Sequence, residues 1–296
     1  MKVRFNRQEM ADALAAASSV AAVRTPKEIL KCVRLDVMPD VLMVSATDLE
    51  LSLRWAVTQV EVETPGEVLV VADTLSRIVR ECPDEVLTAE FAQNHLHIRG
   101  QGSHFRIVTQ SVSEFPPIPN LEGEPDFRTD QVALQRLIEW TVFAAAREST
   151  RYAINGVLWE INGDDLTLAA TDGRRLSVRK TKIKKTHNKP IPTAIVPIKA
   201  LNLFARLPAE ADAVAQVKIT GNQMLLKVGR ELLSINLVEG HFPKYQDVIP
   251  SDCDREVVLD TQEFLSALKR ASLLTNEESK GVRLSFHDGG LTLSSR

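Results

Sequence analysis

Three segments of the chain carry apolar residues at intervals of three or four positions, the spacing of one face of an α-helix. They cover residues 7–20, 131–146 and 261–274. In the first segment the apolar stripe consists of Met10, Leu14, Ala17 and Ala21. In the second it consists of Leu134, Ile138, Val142 and Ala145. In the third it consists of Leu265 and Leu268, with Ser272 in series. The sequence also predicts helices in the stretches 71–82 and 196–207. We therefore predict a helix in each of these five stretches.

Between the predicted helices, apolar residues stand in short strand-like runs that end at glycine or asparagine turns. The turns include residues 100–102, 162–164 and 221–222. The runs contain Leu96, Ile98, Phe105 and Ile107, and later Val217, Ile219, Leu225, Leu226 and Val228. A few helices among many short strands predict an α+β fold in which helices pack on antiparallel sheets.

One domain-sized unit recurs about every 125 residues. Ala-Thr-Asp occurs at 46–48 and again at 170–172, an offset of 124 residues. The helical stretches that open at Val71 and Val196 are separated by 125 residues. Because two independent landmarks agree, the period predicts a repeated structural unit.

A third copy of the unit is expected to be incomplete. Residues 281–284 repeat the pattern of 156–159, and the copy runs for 43 residues from about Asp254 to Arg296. Roughly 80 more residues would complete it, so we expect this unit to be the least stable of the three. Proline-rich stretches separate the copies. The predicted domains are residues 1–120, 128–250 and 254–296.

The composition says little about binding partners, but it bears on where in the cell the protein is expected. The net charge is −3, with 44% hydrophobic and 25% charged residues, so the chain is neither strongly basic nor unusually polar. Three widely spaced cysteines, Cys32, Cys82 and Cys253, fit neither a disulfide framework nor a zinc site. The N-terminus lacks an apolar signal region, and no apolar run approaches the ~20 residues of a spanning helix. We predict a cytoplasmic protein that does not enter membranes.

No catalytic constellation stands out in the sequence. Glycine-rich phosphate loops, the nucleophile elbow and the His-Glu-x-x-His zinc motif are all missing. His95 and His97 alternate on a predicted strand, which indicates an exposed strand face rather than a metal site. The acidic pairs at 164–165 and 277–278 lie in polar turns, where paired catalytic carboxylates are not expected. The sequence therefore predicts a protein that is not an enzyme and has no cofactor.

Basic residues crowd positions 174–189 and recur on the predicted helices. A solvated strand and loop would explain the first group, and the polar face of an amphipathic helix would explain the second. Equivalent helices in successive repeats could instead turn their positive faces toward one polyanion. The sequence leaves both interpretations open.

Six motifs point to one family. They are Met1-Lys2-Val3, Ala46-Thr47-Asp48-Leu49-Glu50, Arg151-Tyr152-Ala153-Ile154-Asn155-Gly156, Ala170-Thr171-Asp172-Gly173-Arg174-Arg175-Leu176, Glu239-Gly240-His241-Phe242-Pro243-Lys244-Tyr245 and Ser279-Lys280-Gly281-Val282-Arg283-Leu284. In order and spacing they resemble the bacterial DNA sliding clamp, the beta subunit of the replicative DNA polymerase III. The resemblance covers essentially the whole chain and implies a third domain that is cut short.

The resemblance implies a head-to-tail dimeric ring of six similar half-units, with helices around the hole and sheets outside. Such a ring encircles double-stranded DNA without reading its sequence and acts as a processivity factor. Weak phosphate binding suits sliding, and a mildly acidic chain with a locally basic inner face fits that need. Arg24 matches a pore arginine of the family. The helix residues that become pore candidates are Arg77, Arg80, Arg136, Arg147, Lys199, Arg206 and Lys269.

The family also implies a pocket that takes short peptides from the replicative polymerase, the clamp loader and repair and replication proteins. Apolar walls with a few directed polar groups suit such peptides. Carried over by motif, the pocket residues are Ile154, Thr171, Gly173, Arg174, Arg175, Leu176, Pro243 and Val248. Arg174 and Asp247 depart from the family pattern, which puts the preferred peptide in doubt. Phe105, Leu273 and Leu274 match the dimer interface, which forms if the third domain is complete.

Two alternatives remain beside the ring. A clamp-like chain that cannot close a ring could act only as a protein-interaction module, a reading favoured by the short third repeat. An enzyme acting on DNA is disfavoured because no catalytic constellation was found.

Overall fold

The computed structural model describes residues 1–22, 25–146, 153–209, 212–275 and 281–295. The chain divides into two compact units, residues 1–245 and 246–296. The helices are α1 Arg7–Val20, α2 Ala72–Glu81, α3 Gln131–Val142 and α4 Ile198–Phe204 in the first unit, and α5 Thr261–Ser272 in the second. Short 3-10 helices span Glu28–Lys31, Val112–Glu114 and Tyr245–Val248.

Antiparallel strands make up most of the rest. The strands of the first predicted domain are β1 Lys2–Asn6, β2 Cys32–Met38, β3 Val41–Thr47, β4 Leu51–Val57, β5 Val60–Thr64, β6 Gly66–Val71, β7 Val86–Ala92, β8 His95–Arg99 and β9 His104–Val108. Those that follow are β10 Phe127–Asp130, β11 Gly156–Asn162, β12 Asp165–Thr171, β13 Leu176–Lys182, β14 Lys184–Lys185, β15 Ala194–Pro197, β16 Val214–Thr220, β17 Gln223–Val228 and β18 Glu231–Asn236. The second unit adds β19 Val282–His287 and β20 Gly290–Ser295. Helices packed on antiparallel sheets confirm the predicted α+β class.

A nine-stranded sheet joins the two complete repeats within the first unit. Its order is β14-β10-β16-β17-β18-β4-β3-β2-β6, so β4 of one repeat pairs with β18 of the next. Leu53 and Leu233 face each other across this junction, and both are fully buried in one core that contains residues of both repeats. Sheets β5-β1-β7-β8-β9 and β13-β12-β11-β15 complete the unit.

Helix starts follow from the side chains that precede them. Asn6, Asp130 and Asp260 each accept a hydrogen bond from the backbone N–H three residues later, at 3.0, 2.7 and 2.8 Å. Such N-caps satisfy amide groups that have no partner inside the helix. The three predicted starts, at residues 7, 131 and 261, are therefore confirmed.

Several predicted helix ends are wrong. The helix predicted to reach Ala146 ends at Val142, because the amides of Ala144 and Ala145 bond back only three residues and tighten the chain into a turn. The last predicted helix ends at Ser272 rather than Leu274. The stretch predicted from 196 begins its helix only at Ile198, since Val196 pairs in strand β15.

The second unit, taken by itself, is a helix and a two-stranded hairpin. Helix α5 contacts β19 and β20, yet no residue of α5 is buried. Apolar side chains such as Val258 and Phe286 are exposed. A hairpin with one helix offers little shared core, and a two-stranded sheet alone is only marginally stable.

Candidate functional site

The turn between β12 and β13 holds the residues with the strongest motif signal. Thr171 Oγ1 donates a hydrogen bond to the Arg175 carbonyl at 2.7 Å and accepts one from the Gly173 N–H at 3.0 Å. Asp172 Oδ1 accepts from the N–H groups of Arg174 and Arg175 at 3.0 and 3.1 Å. Gly173 has φ +84°, a left-handed conformation that favours glycine. The side chains of Thr171 and Asp172 thus stabilise the turn through hydrogen bonds to its own backbone.

The negative charge of Asp172 interacts with groups of this same turn. The N–H of Arg174 is the main cause that holds the pKa of the Asp172 carboxyl below its usual value, and Arg175 adds its own N–H and its guanidinium. Arg175 Nε donates to Asp172 Oδ2 at 3.0 Å. The Arg175 guanidinium also lies over the Phe143 ring, 5.6 Å from its centroid. Arg174 makes no such ion pair in the described residues and is exposed.

An apolar patch lies on the same sheet. Its buried members are Ala153, Leu158, Ala169, Ile195 and Tyr245, and its half-buried edge consists of Leu176, Val178, Val238 and Phe242. Leu176 pairs directly with Thr171, so the patch begins where the turn ends. The arrangement places an apolar surface beside directed polar groups.

The segment 240–245 supplies the far side of this apolar patch. The Ala153 N–H donates to the His241 carbonyl at 3.2 Å, which ties the segment to the start of β11. The Phe242 and Tyr245 rings meet edge to face with centroids 6.4 Å apart. The Tyr245 hydroxyl donates to Glu160 Oε2 at 2.7 Å, so it is anchored as well as buried.

The structure brings together most of the predicted pocket residues of the first unit. Leu176 lies at the edge of the apolar patch, and Ile154 is buried next to Ala153 in sequence. Pro243 is half-buried between Phe242 and Tyr245 in sequence. Val248 belongs to the second unit, where it is exposed.

Sequence reasoning missed Val178, Phe242 and Tyr245 as members of this surface. Phe242 and Tyr245 belong to the motif Glu239–Tyr245 of the family resemblance, but no role was predicted for them. Gly240 has φ +124°, and a Cβ there would come within 3.2 Å of the Ala153 Cβ. The glycine itself was the available signal in the sequence, since glycine is favoured where the backbone approaches another segment closely.

The corresponding turn of the first repeat has three of the same internal bonds, but Thr47 Oγ1 pairs with the Ser52 hydroxyl at 2.7 Å, whereas Thr171 Oγ1 bonds to a carbonyl. The Leu49 N–H donates to Thr47 Oγ1 at 3.0 Å. Asp48 Oδ1 accepts from the N–H groups of Glu50 and Leu51 at 3.0 and 2.7 Å. Leu49 has φ +78°, close to that of Gly173 at the equivalent position. The repeat found in the sequence is therefore reproduced at the level of single hydrogen bonds.

Unlike its counterpart, the first turn is bonded to the following repeat, although the Leu49 side chain at its tip is 48% exposed. Lys199 Nζ lies 2.6 Å from Asp48 Oδ2. The Asn236 side chain donates to the Leu49 carbonyl at 3.2 Å, and its backbone N–H donates to the Glu50 carbonyl at 2.8 Å. A cavity of about 360 Å³ remains beside this junction, lined by both polar and apolar residues. These contacts join parts of the chain that are more than 140 residues apart.

The basic residues predicted for a DNA pore are spread over several elements. Arg77 and Arg80 project from α2 and pair with Asp73 and Glu81 at 2.8 and 3.1 Å. Arg136 on α3 and Arg206 after α4 are exposed. Lys199 on α4 pairs with Asp48, and Lys269 is an exposed residue of α5 in the second unit. Arg24 and Arg147 lie outside the described residues.

The residues matched to a dimer interface are accessible. Phe105 lies on β9, the edge strand of the five-stranded sheet, and is partly exposed. Leu273 and Leu274 follow α5 in the second unit and are 79% and 83% exposed. Their role stays a prediction.

Histidines and cysteines do not assemble into a metal site in the part of the chain that the structure describes. His97 Nδ1 lies 3.0 Å from His104 Nε2 on an exposed sheet face. Desolvation, followed by the neighbouring His104, lowers the pKa of His97. Burial raises the pKa of the Cys32 thiol to about 11. Across the described ranges, no helix is long and apolar enough to cross a membrane.

Three family models together match almost the whole chain. Residues 1–119 match the DNA polymerase III beta subunit N-terminal domain, residues 128–244 its central domain, and residues 246–296 its C-terminal domain.

Curated relatives agree with these matches. The chain is 31% identical over 299 residues to the beta sliding clamp of Pseudomonas aeruginosa, covering 99% of this chain and 80% of that one. It is 30% identical over 295 residues to the beta sliding clamp of Escherichia coli K12, with the same two coverages.

Solved structures share the fold. The DNA polymerase III subunit beta of P. aeruginosa superposes with a TM-score of 0.87 at 30% identity, covering 100% of this chain and 81% of that one. The sliding clamp of Bacillus subtilis gives a TM-score of 0.89 at 25% identity, with 99% and 80% covered. A P. aeruginosa clamp bound to griselimycin gives 0.89 at 30% identity, with 100% and 80% covered.

Proposed function

This chain belongs to the DNA polymerase III beta subunit family, the bacterial sliding clamps, and from that premise we propose that it encircles duplex DNA as a ring and tethers partner proteins to it. Members of the family are replication processivity factors and are not enzymes. The observation that carries the proposal is the match of all three family models in order along one chain.

In the proposed ring, two chains associate head to tail through Phe105 of one and the Leu273–Leu274 pair of the other. Phe105 lies on an edge strand, whose unpaired backbone groups are suited to joining another chain. The two leucines are exposed apolar side chains of the second unit. Burying them would remove apolar surface from water, which favours association.

The proposed pore residues are Arg24, Arg77, Arg80, Arg136, Arg147, Lys199, Arg206 and Lys269. Several of these residues favour weak contacts with DNA, which allow the protein to slide, over tight phosphate binding. Arg77, Arg80 and Lys199 are paired with carboxylates, which reduces their pull on phosphate. A net charge of −3 acts in the same direction. Affinity built from many unpaired phosphate contacts would hold the DNA in place and depend steeply on salt.

Topological retention on DNA tests the ring directly. The chain is loaded onto a nicked circular plasmid by a clamp loader, separated from free protein, and the plasmid is then cut once. A ring leaves the linear DNA through its ends, while a plasmid without the cutting site keeps its protein. Retention after cutting would contradict encirclement.

The mass of the chain in solution decides between the ring and its alternative. Sedimentation equilibrium that shows a dimer supports ring formation. A monomer at every concentration, combined with intact partner binding, would favour the alternative that the chain acts only as a protein-interaction module.

We also propose that the Thr171 turn and the adjoining apolar patch bind short peptides from the polymerase, the clamp loader and repair proteins. Leu176 and Phe242 provide apolar contacts, and Arg174 offers an exposed cation to an acidic peptide. The other proposed residues of this surface are Ile154, Thr171, Gly173, Arg175 and Pro243. Val248, which the family motif also predicts for peptide binding, belongs to the second unit.

Griselimycin, the ligand in the P. aeruginosa clamp structure, serves as a probe of this surface. We expect Leu176→Asp to weaken its binding at least tenfold in a calorimetric titration, because a carboxylate would replace an apolar contact. Met38→Asp, an exposed apolar position on β2, is the matched control and should bind like the parent chain. Equal loss in both variants would argue against the proposed location.

The proposed setting is the cytoplasm, where replication takes place in bacteria. We further propose that the chain comprises clamp domains at residues 1–120, 128–250 and 254–296. Limited proteolysis should cut first between these ranges, and a first cut inside 128–250 would count against the division.

A further inference from the structure

Two aromatic side chains are unusually exposed at the end of helix α3. Trp140 and Phe143 are 55% and 57% exposed, whereas the other two tryptophans, Trp55 and Trp159, are 5% and 0% exposed. Large aromatic rings left in water often mark a binding site. The equivalent positions of helix α1, 124 residues earlier, are Ala16 and Ser19, so the first repeat lacks this feature.

Guanidinium groups surround both rings. Arg179 Cζ lies 5.7 Å from the Trp140 ring centroid, and Arg175 Cζ lies 5.6 Å from that of Phe143. Arg136 is exposed one helical turn before Trp140, on the same side of α3. Arg136 is also one of the proposed pore residues, so we call only Trp140, Phe143, Arg175 and Arg179 the Trp140 surface.

The Trp140 surface is held on a rigid support. Ser177 Oγ donates to the Trp140 carbonyl at 2.6 Å and fixes the end of α3 against β13. Ser177 and Arg179 pair with the buried Ala170 and Leu168 on the same face of the sheet, which directs Arg179 toward the helix. On the other side of α3, Leu134 and Ile138 are buried.

The charge of the Trp140 surface is mainly positive. Asp172 pairs with Arg175, and Glu139 is the exposed carboxylate next to Trp140 in sequence. Arg179 and the neighbouring Arg136 have no carboxylate partner among the described ion pairs. A ligand with planar apolar rings and a negative backbone would satisfy both kinds of group.

We propose that the Trp140 surface binds single-stranded nucleic acid. Each ring carries a guanidinium near one face, and its exposure leaves area on which an unpaired base can stack. The arginines then contact the phosphates on either side of the stacked base. A duplex hides the faces of its bases within its own stack and cannot use the rings in this way. The proposal requires neither a closed ring nor the proposed function.

Tryptophan fluorescence provides a selective test. Because Trp55 and Trp159 are buried, quenching on addition of a ligand reports on Trp140. We expect oligothymidylate to quench the emission of the full chain in a saturable manner. A blunt duplex at the same phosphate concentration should quench much less. Equal quenching by both, or none by the single strand, would overturn the proposal.

Substitutions separate stacking from charge. In anisotropy titrations with a labelled oligothymidylate, Trp140→Ala should weaken binding about tenfold, and Trp140→Phe should restore most of it. Arg179→Gln should weaken binding several-fold. Arg128→Gln, an exposed arginine of strand β10 outside the Trp140 surface, is the matched control and should behave like the parent chain.

Two results would contradict the assignment outright. Unchanged oligonucleotide affinity in Trp140→Ala would exclude stacking on this ring. If the same variant weakened griselimycin binding and left the oligonucleotide unaffected, the Trp140 surface would instead belong to the protein-binding site. Far-ultraviolet circular dichroism of each variant confirms that the chain remains folded.

Discussion

The turns at residues 47–51 and 171–175 share three internal hydrogen bonds but have different surroundings. The first is tied to the following repeat by Lys199 and Asn236, while the second is bounded by exposed arginines and an apolar patch. The local sequence Ala-Thr-Asp therefore determines the shape of the turn. What packs against the turn determines whether it serves the fold or remains open to a partner.

The two left-handed residues illustrate this difference. Leu49 at φ +78° is held by a neighbouring strand, because Asn236 donates to the carbonyls of both Leu49 and Glu50. Gly173 at φ +84° has no equivalent support in the described residues, and glycine adopts that conformation without strain. A residue keeps a strained backbone conformation where the contacts around it hold it in place.

The largest effect is expected from breaking the junction that joins the first turn to the following repeat. Leu233→Ala removes a fully buried side chain opposite Leu53 and should lower the free energy of unfolding by about 2–5 kcal/mol. Urea denaturation followed by tryptophan fluorescence measures it. Leu284→Ala, at an exposed position of the second unit, should cost less than about 1 kcal/mol. Similar costs at both positions would contradict the shared core.

Removing the turn carboxylates should reveal which turn is structural. We expect Asp48→Ala to cost about 2 kcal/mol and Asp172→Ala about 1 kcal/mol. Each carboxylate accepts from two amides and pairs with one cation, but the Lys199 partner of Asp48 joins two repeats, whereas the Arg175 partner of Asp172 is local. The same denaturation assay applies. A larger cost at Asp172 would reverse the comparison.

Substituting Gly173 and Leu49, the two residues with left-handed backbone conformations, tests whether contacts from a neighbouring strand are needed to hold a side chain in that conformation. Gly173→Leu should destabilise the chain by about 1 kcal/mol, because a side chain is disfavoured in that conformation. Leu49→Gly should change stability by less than about 0.5 kcal/mol, since relief of strain offsets the greater freedom of the unfolded chain. A stabilising Gly173→Leu would contradict this account of the open turn.

The smallest effect concerns pH. The pKa of Asp172 is lower in the folded chain than in the unfolded one, so its ionised form stabilises the fold. This contribution is present above the unfolded value of about 3.9 and is lost as the pH falls through the folded pKa. A carboxyl-carbon NMR titration should place the midpoint of Asp172 below about 3.9, and Arg175→Gln should raise it. A midpoint above that value would contradict the hydrogen bonds of the turn.

The sequence predicted what depends on near neighbours. The helix starts at residues 7, 131 and 261 were predicted from apolar spacing, and the structure adds an N-cap directly before each, at Asn6, Asp130 and Asp260. Helix ends were predicted less well, since Ala144 and Ala145 continue the apolar stripe beyond Val142 into a tight turn that buries them without further helix.

Contacts between distant parts of the chain were beyond the reach of local patterns. The pairing of Lys199 with Asp48 spans 151 positions, and no spacing rule indicates it. The packing of Tyr245 and Phe242 beside Leu176 depends on how segment 240–245 returns to β11. The rings over Arg175 and Arg179 likewise meet only after α3 packs on β13.

Hydrogen–deuterium exchange with and without griselimycin tests the central claim most directly, because it examines both turns in one sample. If the open turn binds partners and the first turn serves the fold, the ligand will slow exchange at residues 171–176 and leave residues 47–52 unchanged. Protection at 47–52, or equal protection at both turns, would contradict the account.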